Sequence, residues 1–359
     1  MLDLDKLLRY AVERGASDVH LKVGSTPFVR VDGRLERTGH EPLTPVETER
    51  IAFTIMPKQR AEEFLATSEA DFAYSVSGLG RFRCNVLRQR GSVGLVLRRV
   101  QLAIPSFEEL GLPPIARRLA ENPRGLVLVT GPTGSGKTTT LAAMVDHINE
   151  TMARHIVTIE DPIEVLHQDK KCIVNQREIG KHSNTFASAL RAALREDPDV
   201  IIVGELRDQE TMTLAMTAAE TGHLVIATMH TTSAVKTIDR LVEAFPPREQ
   251  PSIRMMLSES LKVVVNQQLV RRADRKGRVA YHEVLMVTSP IRNLIRDQKT
   301  NLINSAMTIG KESGMQTLDM ALQDLVAQTL ITPEDAYLRA EKKELFEALV
   351  SKEFIEGMS

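Results

Sequence analysis

The stretch Gly131-Pro132-Thr133-Gly134-Ser135-Gly136-Lys137-Thr138 decides the fold. It fits G-x-x-x-x-G-K-[ST], a glycine-rich loop whose backbone N–H groups cradle phosphates. Its flanks suit it. Leu126-Val127-Leu128-Val129-Thr130 is a short apolar run that predicts a buried parallel strand, and Thr139-Thr140-Leu141-Ala142-Ala143-Met144-Val145 predicts a helix. Glycines let the loop fold round an anion, and the helix N-terminus adds partial positive charge. Gly131, Pro132, Thr133, Gly134, Ser135, Gly136, Lys137, Thr138 and Thr139 are therefore the expected nucleotide-binding residues. Lys137 would reach the β- and γ-phosphates of ATP, and the Thr138 hydroxyl would hold Mg²⁺.

From Asn122 onward, strand and helix patterns alternate. Strands are expected at 126–130, 155–160, 200–204 and 224–229, and helices at 137–150, 184–196, 209–221 and 233–244, with Asn184 as an N-cap and Gly222 just past a helix end. Such alternation means a parallel sheet with right-handed crossovers. After residue 248 the pattern is mainly helical, with a strand pair around 263–287. The run Glu341 to Phe346 reads as a helix-like end that is solvated or packed.

The first hundred residues read differently. An amphipathic helix over 2–14 precedes alternating strands at 17–21 and 28–31, with a hairpin turn at Asp32-Gly33. Thr44, Pro45 and Glu47 spell a capping box with proline at the first helical position. Phe72 to Arg99 predicts three short strands. The fold class is thus α/β, with an N-terminal α+β domain over 1–99, a proline-containing linker over 100–114 that is a candidate hinge, and a phosphate-loop domain with extra C-terminal helices over 115–359.

The chain has 359 residues, 42% hydrophobic and 26% charged, enough for a sizeable core. With 46 basic and 47 acidic residues, no Trp and 4% aromatics, it lacks the basic excess and stacking platforms of a nucleic-acid coat. Cys84 and Cys172 are the only cysteines, too few for a zinc ribbon or a disulfide framework. The charged N-terminus shows no signal peptide, and no apolar run is long enough to span a bilayer. The chain is expected in the cytoplasm, meeting a membrane only through a partner.

Four further constellations carry chemistry. Val200-Ile201-Ile202-Val203-Gly204-Glu205 ends an apolar strand on a carboxylate, expected beside the phosphate-loop strand. Glu205 would position or deprotonate the attacking water, or bind Mg²⁺ through water. Thr158-Ile159-Glu160-Asp161-Pro162-Ile163-Glu164 packs three carboxylates at another strand end. That cluster suits Mg²⁺ and a lytic water, or is a turn that uses Asp and Pro for turn reasons. His223 and His230 bracket the run 224–229 and could sense the γ-phosphate. Arg81, Arg83, Arg88, Arg90, Arg98 and Arg99 make either a solvated basic face or a source of arginine fingers.

Together these segments resemble the secretion ATPases of type IV pilus and type II/IV secretion systems. The resemblance rests on Gly131–Thr138, Thr158–Glu164, Val200 through Asp208, and Thr221-Gly222-His223 through Met229-His230-Thr231-Thr232. Gly15-Ala16-Ser17-Asp18-Val19-His20-Leu21 is similar to the family's N-terminal signature. Pro290-Ile291-Arg292-Asn293-Leu294-Ile295-Arg296-Asp297 resembles the A-I-R-N-L-I-R-E motif of its retraction branch, departing at both flanks. The resemblance implies a PAS-like N-terminal domain joined to a RecA-like ATPase domain, a homohexameric ring with nucleotide between the domains, and an inner-membrane pilus platform protein as partner. It implies Lys137 and Thr138 on phosphate and Mg²⁺, Glu205 as catalytic base, Glu164 as its acidic-box partner, His223 and His230 in a histidine box, and Arg81, Arg83 and Arg98 on the phosphates. The family's extension ATPases resemble longer chains with a tetracysteine site, which this sequence lacks. Other readings are an assembly or accessory ATPase of the same family, a nucleic-acid translocase and a non-hydrolysing sensor.

Overall fold

The structure, a computed structural model, describes residues 2–31, 33–100 and 104–357. The chain forms two compact units, residues 1–103 and 104–359.

The first unit is built on a six-stranded antiparallel sheet. Its strands are β1 (Asp18–Leu21), β2 (Phe28–Val31), β3 (Arg34–Arg37), β4 (Glu69–Val76), β5 (Gly80–Gln89) and β6 (Ser92–Arg99), in the order β3-β2-β1-β6-β5-β4. Alternation sets its two faces. Phe82, Cys84 and Val86 of β5 and Val93, Leu95 and Leu97 of β6 point into a core shared with Leu7 and Leu8 of helix Leu4–Glu13 and Phe64 of helix Lys58–Thr67. The intervening residues face away from that core, and among them Arg83 and Arg98 are exposed while Asn85, Gly94 and Val96 are half-buried. Helix Pro45–Ile55 opens on the expected capping box: Thr44 Oγ1 accepts from Glu47 N–H while the Glu47 carboxylate accepts from Thr44 N–H.

The second unit holds a seven-stranded sheet: β7 (Gly125–Thr130), β8 (His155–Glu160), β9 (Ile173–Glu178), β10 (Val200–Val203), β11 (Leu224–Met229), β12 (Leu261–Arg271) and β13 (Arg278–Met286). The order is β13-β12-β7-β11-β10-β8-β9, parallel except for the antiparallel pair β12–β13. Every residue of β7, β10 and β11 is buried, as strands covered on both faces require. Leu126 and Leu128 pack with the layer of helices Phe186–Ala193, Gln209–Glu220 and Ala234–Glu243; Val127 and Val129 pack with helix Lys137–Thr151 on the other face. This is the RecA-like α/β architecture, and the C-terminal helices close it. Ile291, Ile295, Ile303 and Met307 extend one core layer, while Leu318, Leu322 and Phe346 form a separate cluster with Val270 and Tyr281.

Several expectations need correction. The linker expected over 100–114 is shorter, because Phe107 and Leu112 are buried in the second unit's core; residues 101–103 lie outside the described residues, as does Asp32 of the expected hairpin turn. Thr185, not Asn184, caps helix Phe186–Ala193, because its hydroxyl meets Ser188 N–H. Lys343–Leu345 is one 3₁₀ turn rather than α-helix, and Phe346 after it is wholly buried. Strands β3 and β9 and helix Lys58–Thr67 were not foreseen. Among the described residues no helix is long and apolar enough to cross a membrane.

Candidate functional site: a phosphate loop tied to a histidine and a carboxylate

β7 delivers the chain to Gly131, whose φ of +145° only glycine adopts freely. A Cβ there would sit 2.2 Å from the Gln267 carbonyl oxygen, so glycine also lets the loop lie against β12. The helix that follows starts after Gly136, at φ +88°, and has no side-chain cap. Its first-turn N–H groups have no intrahelical partner, the arrangement that takes a phosphate. The Ser135 hydroxyl is buried and, among the described residues, has no partner. Lys137 is 8% exposed, and its Nζ donates to the carbonyls of Gly131 (2.8 Å) and Pro132 (3.0 Å). Burial lowers its pKa, and Glu205 acts against that shift. Thr138 is exposed and Thr139 half-buried beside it.

The loop is braced by residues that the sequence reading missed. Gln267 Nε2 donates to Ser135 O at 2.7 Å, while its Oε1 accepts from Thr140 Oγ1 at 2.7 Å and faces His282 Nε2 at 3.3 Å. Burial pushes the His282 pKa down to about 4, so the ring is neutral near pH 7 and donates one N–H. Asn266 Nδ2 donates to Thr130 Oγ1 and Thr231 O, both at 2.9 Å, tying β12 to the ends of β7 and β11. The signal lay in three successive polar residues, Asn266-Gln267-Gln268, between the apolar runs Val263-Val264-Val265 and Leu269-Val270.

Glu205 is not on a strand beside β7, as expected; β11 lies between β7 and β10. The parallel register nevertheless sets the ends of these strands in one row, with Met229 opposite Thr130. His230, just after β11, bridges the gap. Its Nδ1 is 3.3 Å from Lys137 Nζ and its Nε2 is 3.3 Å from Glu205 Oε1. A neutral ring accepts from the ammonium at Nδ1 and donates from Nε2, so one tautomer satisfies both contacts. Arg207 Nε and Nη2 each lie 2.7 Å from Glu205 Oε2. Lys137, His230, Glu205 and Arg207 form one connected line across three strand ends.

Other expected site residues lie elsewhere. His223 precedes β11 at the opposite edge of the sheet, where its Nδ1 is 3.0 Å from Ala218 O; a six-residue strand separates it from His230. Of the carboxylates of 158–164, Glu164 lies near enough to Glu160 to help burial raise its pKa. Glu160 accepts from Thr158 Oγ1 (2.6 Å) and Gln176 Nε2 (3.0 Å), with its pKa raised by burial against those hydrogen bonds, whereas Glu164 is exposed. Among the described residues no group of three or more His, Cys, Asp or Glu side chains is placed to hold a metal ion. Arg81, Arg83 and Arg98 belong to the first unit, Arg83 and Arg98 facing each other across β5 and β6. On the far side of the loop, a cavity of about 690 Å³ opens from Gly134, Gly136 and Thr139 toward Leu269, Tyr281 and Leu330.

The model of the type II/IV secretion system protein family matches residues 1–343. The chain belongs to this family. It is 50% identical over 345 residues to the type IV pilus retraction ATPase PilT of Pseudomonas aeruginosa, covering 96% of this chain and all of that one. It is 50% identical over 319 residues to a twitching motility protein of Neisseria gonorrhoeae, covering 89% of this chain and 85% of the other. Its fold matches the crystal structure of the pilus retraction motor PilT with bound ADP at a TM-score of 0.91 and 45% identity, covering 97% and 100% of the two chains.

Family membership and site agree on chemistry. An open helix N-terminus, a buried lysine and a carboxylate held by two partners are what cleavage of a nucleoside triphosphate asks of a protein: charge stabilisation and a positioned water.

Proposed function

We propose that this chain is an ATPase motor of type IV pilus retraction, working as a homohexameric ring against a platform protein of the inner membrane from its cytoplasmic side. The observation that carries the reading is the line from Lys137 through His230 to Glu205, in a chain half identical to PilT from end to end. ATP is the substrate. The N–H groups of Gly131–Thr139 hold its phosphates, Lys137 turns from the loop carbonyls to the β- and γ-phosphates, and the cavity beside Thr139 takes the nucleoside. Mg²⁺, when bound, offsets phosphate charge; the exposed Thr138 hydroxyl and, through water, Glu205 are the residues that suit it. Glu205 orients the attacking water and takes its proton as the water oxygen bonds to the γ-phosphorus and ADP leaves with the bridging oxygen. Arg207 orients the carboxylate, and His230 reports its position to Lys137. Arg81, Arg83 and Arg98 supply charge to the phosphates, in cis or from a neighbouring copy.

The experiment is steady-state ATPase activity against protein concentration, with mass by light scattering, for wild type and Glu205→Gln. Turnover that rises as six copies assemble, and collapses in the variant while ATP still binds, supports the reading. Full activity of a monomer sinks the ring, and an unaffected variant sinks Glu205 as the base.

A further inference from the structure

His230 stands at the head of a short segment, Thr231-Thr232-Ser233, that carries the chain from β11 into helix Ala234–Glu243. Both ends of that segment are held by one cross-strand pair of the neighbouring hairpin. Asn266 on β12 lies directly opposite Glu283 on β13. Asn266 Nδ2 donates to Thr231 O at 2.9 Å, and Glu283 Oε2 accepts from Ala234 N at 2.5 Å. Ala234 opens its helix, so its N–H has no intrahelical partner and Glu283 supplies one. The other hydrogen of Asn266 Nδ2 goes to Thr130 Oγ1 at 2.9 Å, one residue before the phosphate loop. The pair thus joins the His230 segment to the loop.

Each member of the pair has an unmet need. Asn266 is wholly buried, and its Oδ1 has no partner among the described residues. A buried acceptor without a donor is costly. Glu283 is 4% exposed, where a lone carboxylate charge is costly too. The charged groups that bear on it are both carboxylates: Asp319 of helix Leu318–Ala327, and Glu341, whose N–H bonds Asp319 Oδ1 at 2.9 Å. Lys236, in the first turn of the facing helix, is exposed and donates to Thr232 Oγ1 at 3.3 Å instead. Opposed residues of an antiparallel pair share a face, with Cβ atoms about 4.5–5.5 Å apart. One proton on the acid meets both needs. Burial raises the Glu283 pKa to about 7, against the bond from Ala234 N–H and with Glu341 and Asp319 adding to the shift.

We propose that Glu283 is a positioning residue for His230: as the neutral acid it donates to Asn266 Oδ1 and accepts from Ala234 N, fixing residues 231–234 against the phosphate loop. This rests on the reading of His230 as the link between Lys137 and Glu205. Thr231 O can only accept, so Asn266 must present Nδ2 to it. An ionised Glu283 has no hydrogen to give and calls for one. The amide then turns Nδ2 toward β13, and Thr231 O loses its donor.

The test measures kcat and KM for ATP across pH, with thermal midpoints, in wild type, Glu283→Gln, Glu283→Leu, His230→Ala and the double variant Glu283→Leu/His230→Ala. Glu283→Leu is expected to lower kcat about tenfold with KM for ATP changing less, because a misplaced group loses its hold on the transition state first. In the His230→Ala background the same change should cost nothing further. Glu283→Gln carries an acceptor and a donor, and should keep kcat within about twofold of wild type at about pH 6. As pH passes through about 7, turnover of wild type should fall relative to Glu283→Gln. The ratio should reach about three- to tenfold by about pH 8.5. If Glu283→Leu does not fold, this ratio decides alone, since a merely structural role would leave it flat. A flat ratio overturns the proposal, as do losses that multiply in the double variant. A loss in His230→Ala with wild-type turnover in folded Glu283→Leu overturns the role of Glu283 alone. Wild-type turnover in His230→Ala overturns the reading of His230 as well.

Discussion

Replacing Gln267 by Leu tests the bracing of the phosphate loop. The side chains are of similar size, so the change removes hydrogen bonds more than volume. Gln267 gives one bond to Ser135 O and takes one from the Thr140 hydroxyl, both at 2.7 Å and both at buried residues. Each partner left unsatisfied costs about 1–3 kcal/mol, so the second unit should lose about 2–6 kcal/mol. At about 2–4 °C per kcal/mol for a unit of this size, its calorimetric transition should fall by roughly 5–20 °C. The loss should not be confined to heat. Ser135 and Thr140 flank Lys137, so the loop's N–H groups spread and nucleotide affinity drops with stability. Gln267→Glu is the harsher control, because it sets a carboxylate oxygen against Ser135 O. Differential scanning calorimetry with and without ADP, and ADP binding by titration calorimetry, read both effects. A transition within 1–2 °C of wild type, with unchanged ADP affinity, would refute the reasoning.

Further outcomes follow from the same geometry. Gly131→Ala places a Cβ 2.2 Å from Gln267 O at a φ of +145°, so nucleotide binding should be lost in a fluorescent-nucleotide assay even where the chain folds. His230→Ala should cut turnover at least about tenfold by freeing Glu205 and Lys137 from each other, while His223→Ala at the opposite sheet edge should leave turnover within about twofold of wild type. Glu283 is buried on β13 and accepts from Ala234 N at 2.5 Å; burial raises its pKa to about 7, against that bond and with the help of Glu341 and Asp319. The folded chain thus holds a proton that the unfolded chain releases near its ordinary value, so this group's contribution falls as pH rises from about 4.5 to about 7, by at most about 3 kcal/mol. Glu283→Gln keeps the acceptor and should be more stable than wild type at pH 8 but not at pH 5, as denaturant midpoints at the two pH values will show.

Much of this fold was legible from pattern. The phosphate loop, its strand and its helix announced themselves because loop chemistry needs glycine at particular positions. The capping box at Thr44 is local, and its geometry follows from four residues. Strand order was not legible. Continuous apolar runs such as 126–130, 200–203 and 224–229 carry no face and no neighbour, so nothing in them says that β11 slips between β7 and β10. The same insertion hid the bridging role of His230, which looked equivalent to His223 until the parallel register assigned them to opposite edges. β9 escaped because an edge strand is half-exposed, and its residues, Ile173 through Glu178, read as polar connection. Gln267 was missed because its partners are over a hundred residues distant, which no periodicity registers.

The uncapped start of the helix at Lys137 has a consequence for the empty protein. Most helices of this chain that begin with Asp, Thr or Ser finish their own first turn; this one leaves that to whatever occupies the loop. Occupancy then becomes a folding variable. A ligand at a hundred times its Kd stabilises the form that binds it by about 2.7 kcal/mol, and here the gain concentrates in the turn the ligand completes. In the proposed ring, successive copies that differ only in what they hold would differ in local rigidity as well. Amide hydrogens of residues 137–141 would keep time with the turnover cycle, exchanging fastest in the interval between product leaving and substrate arriving.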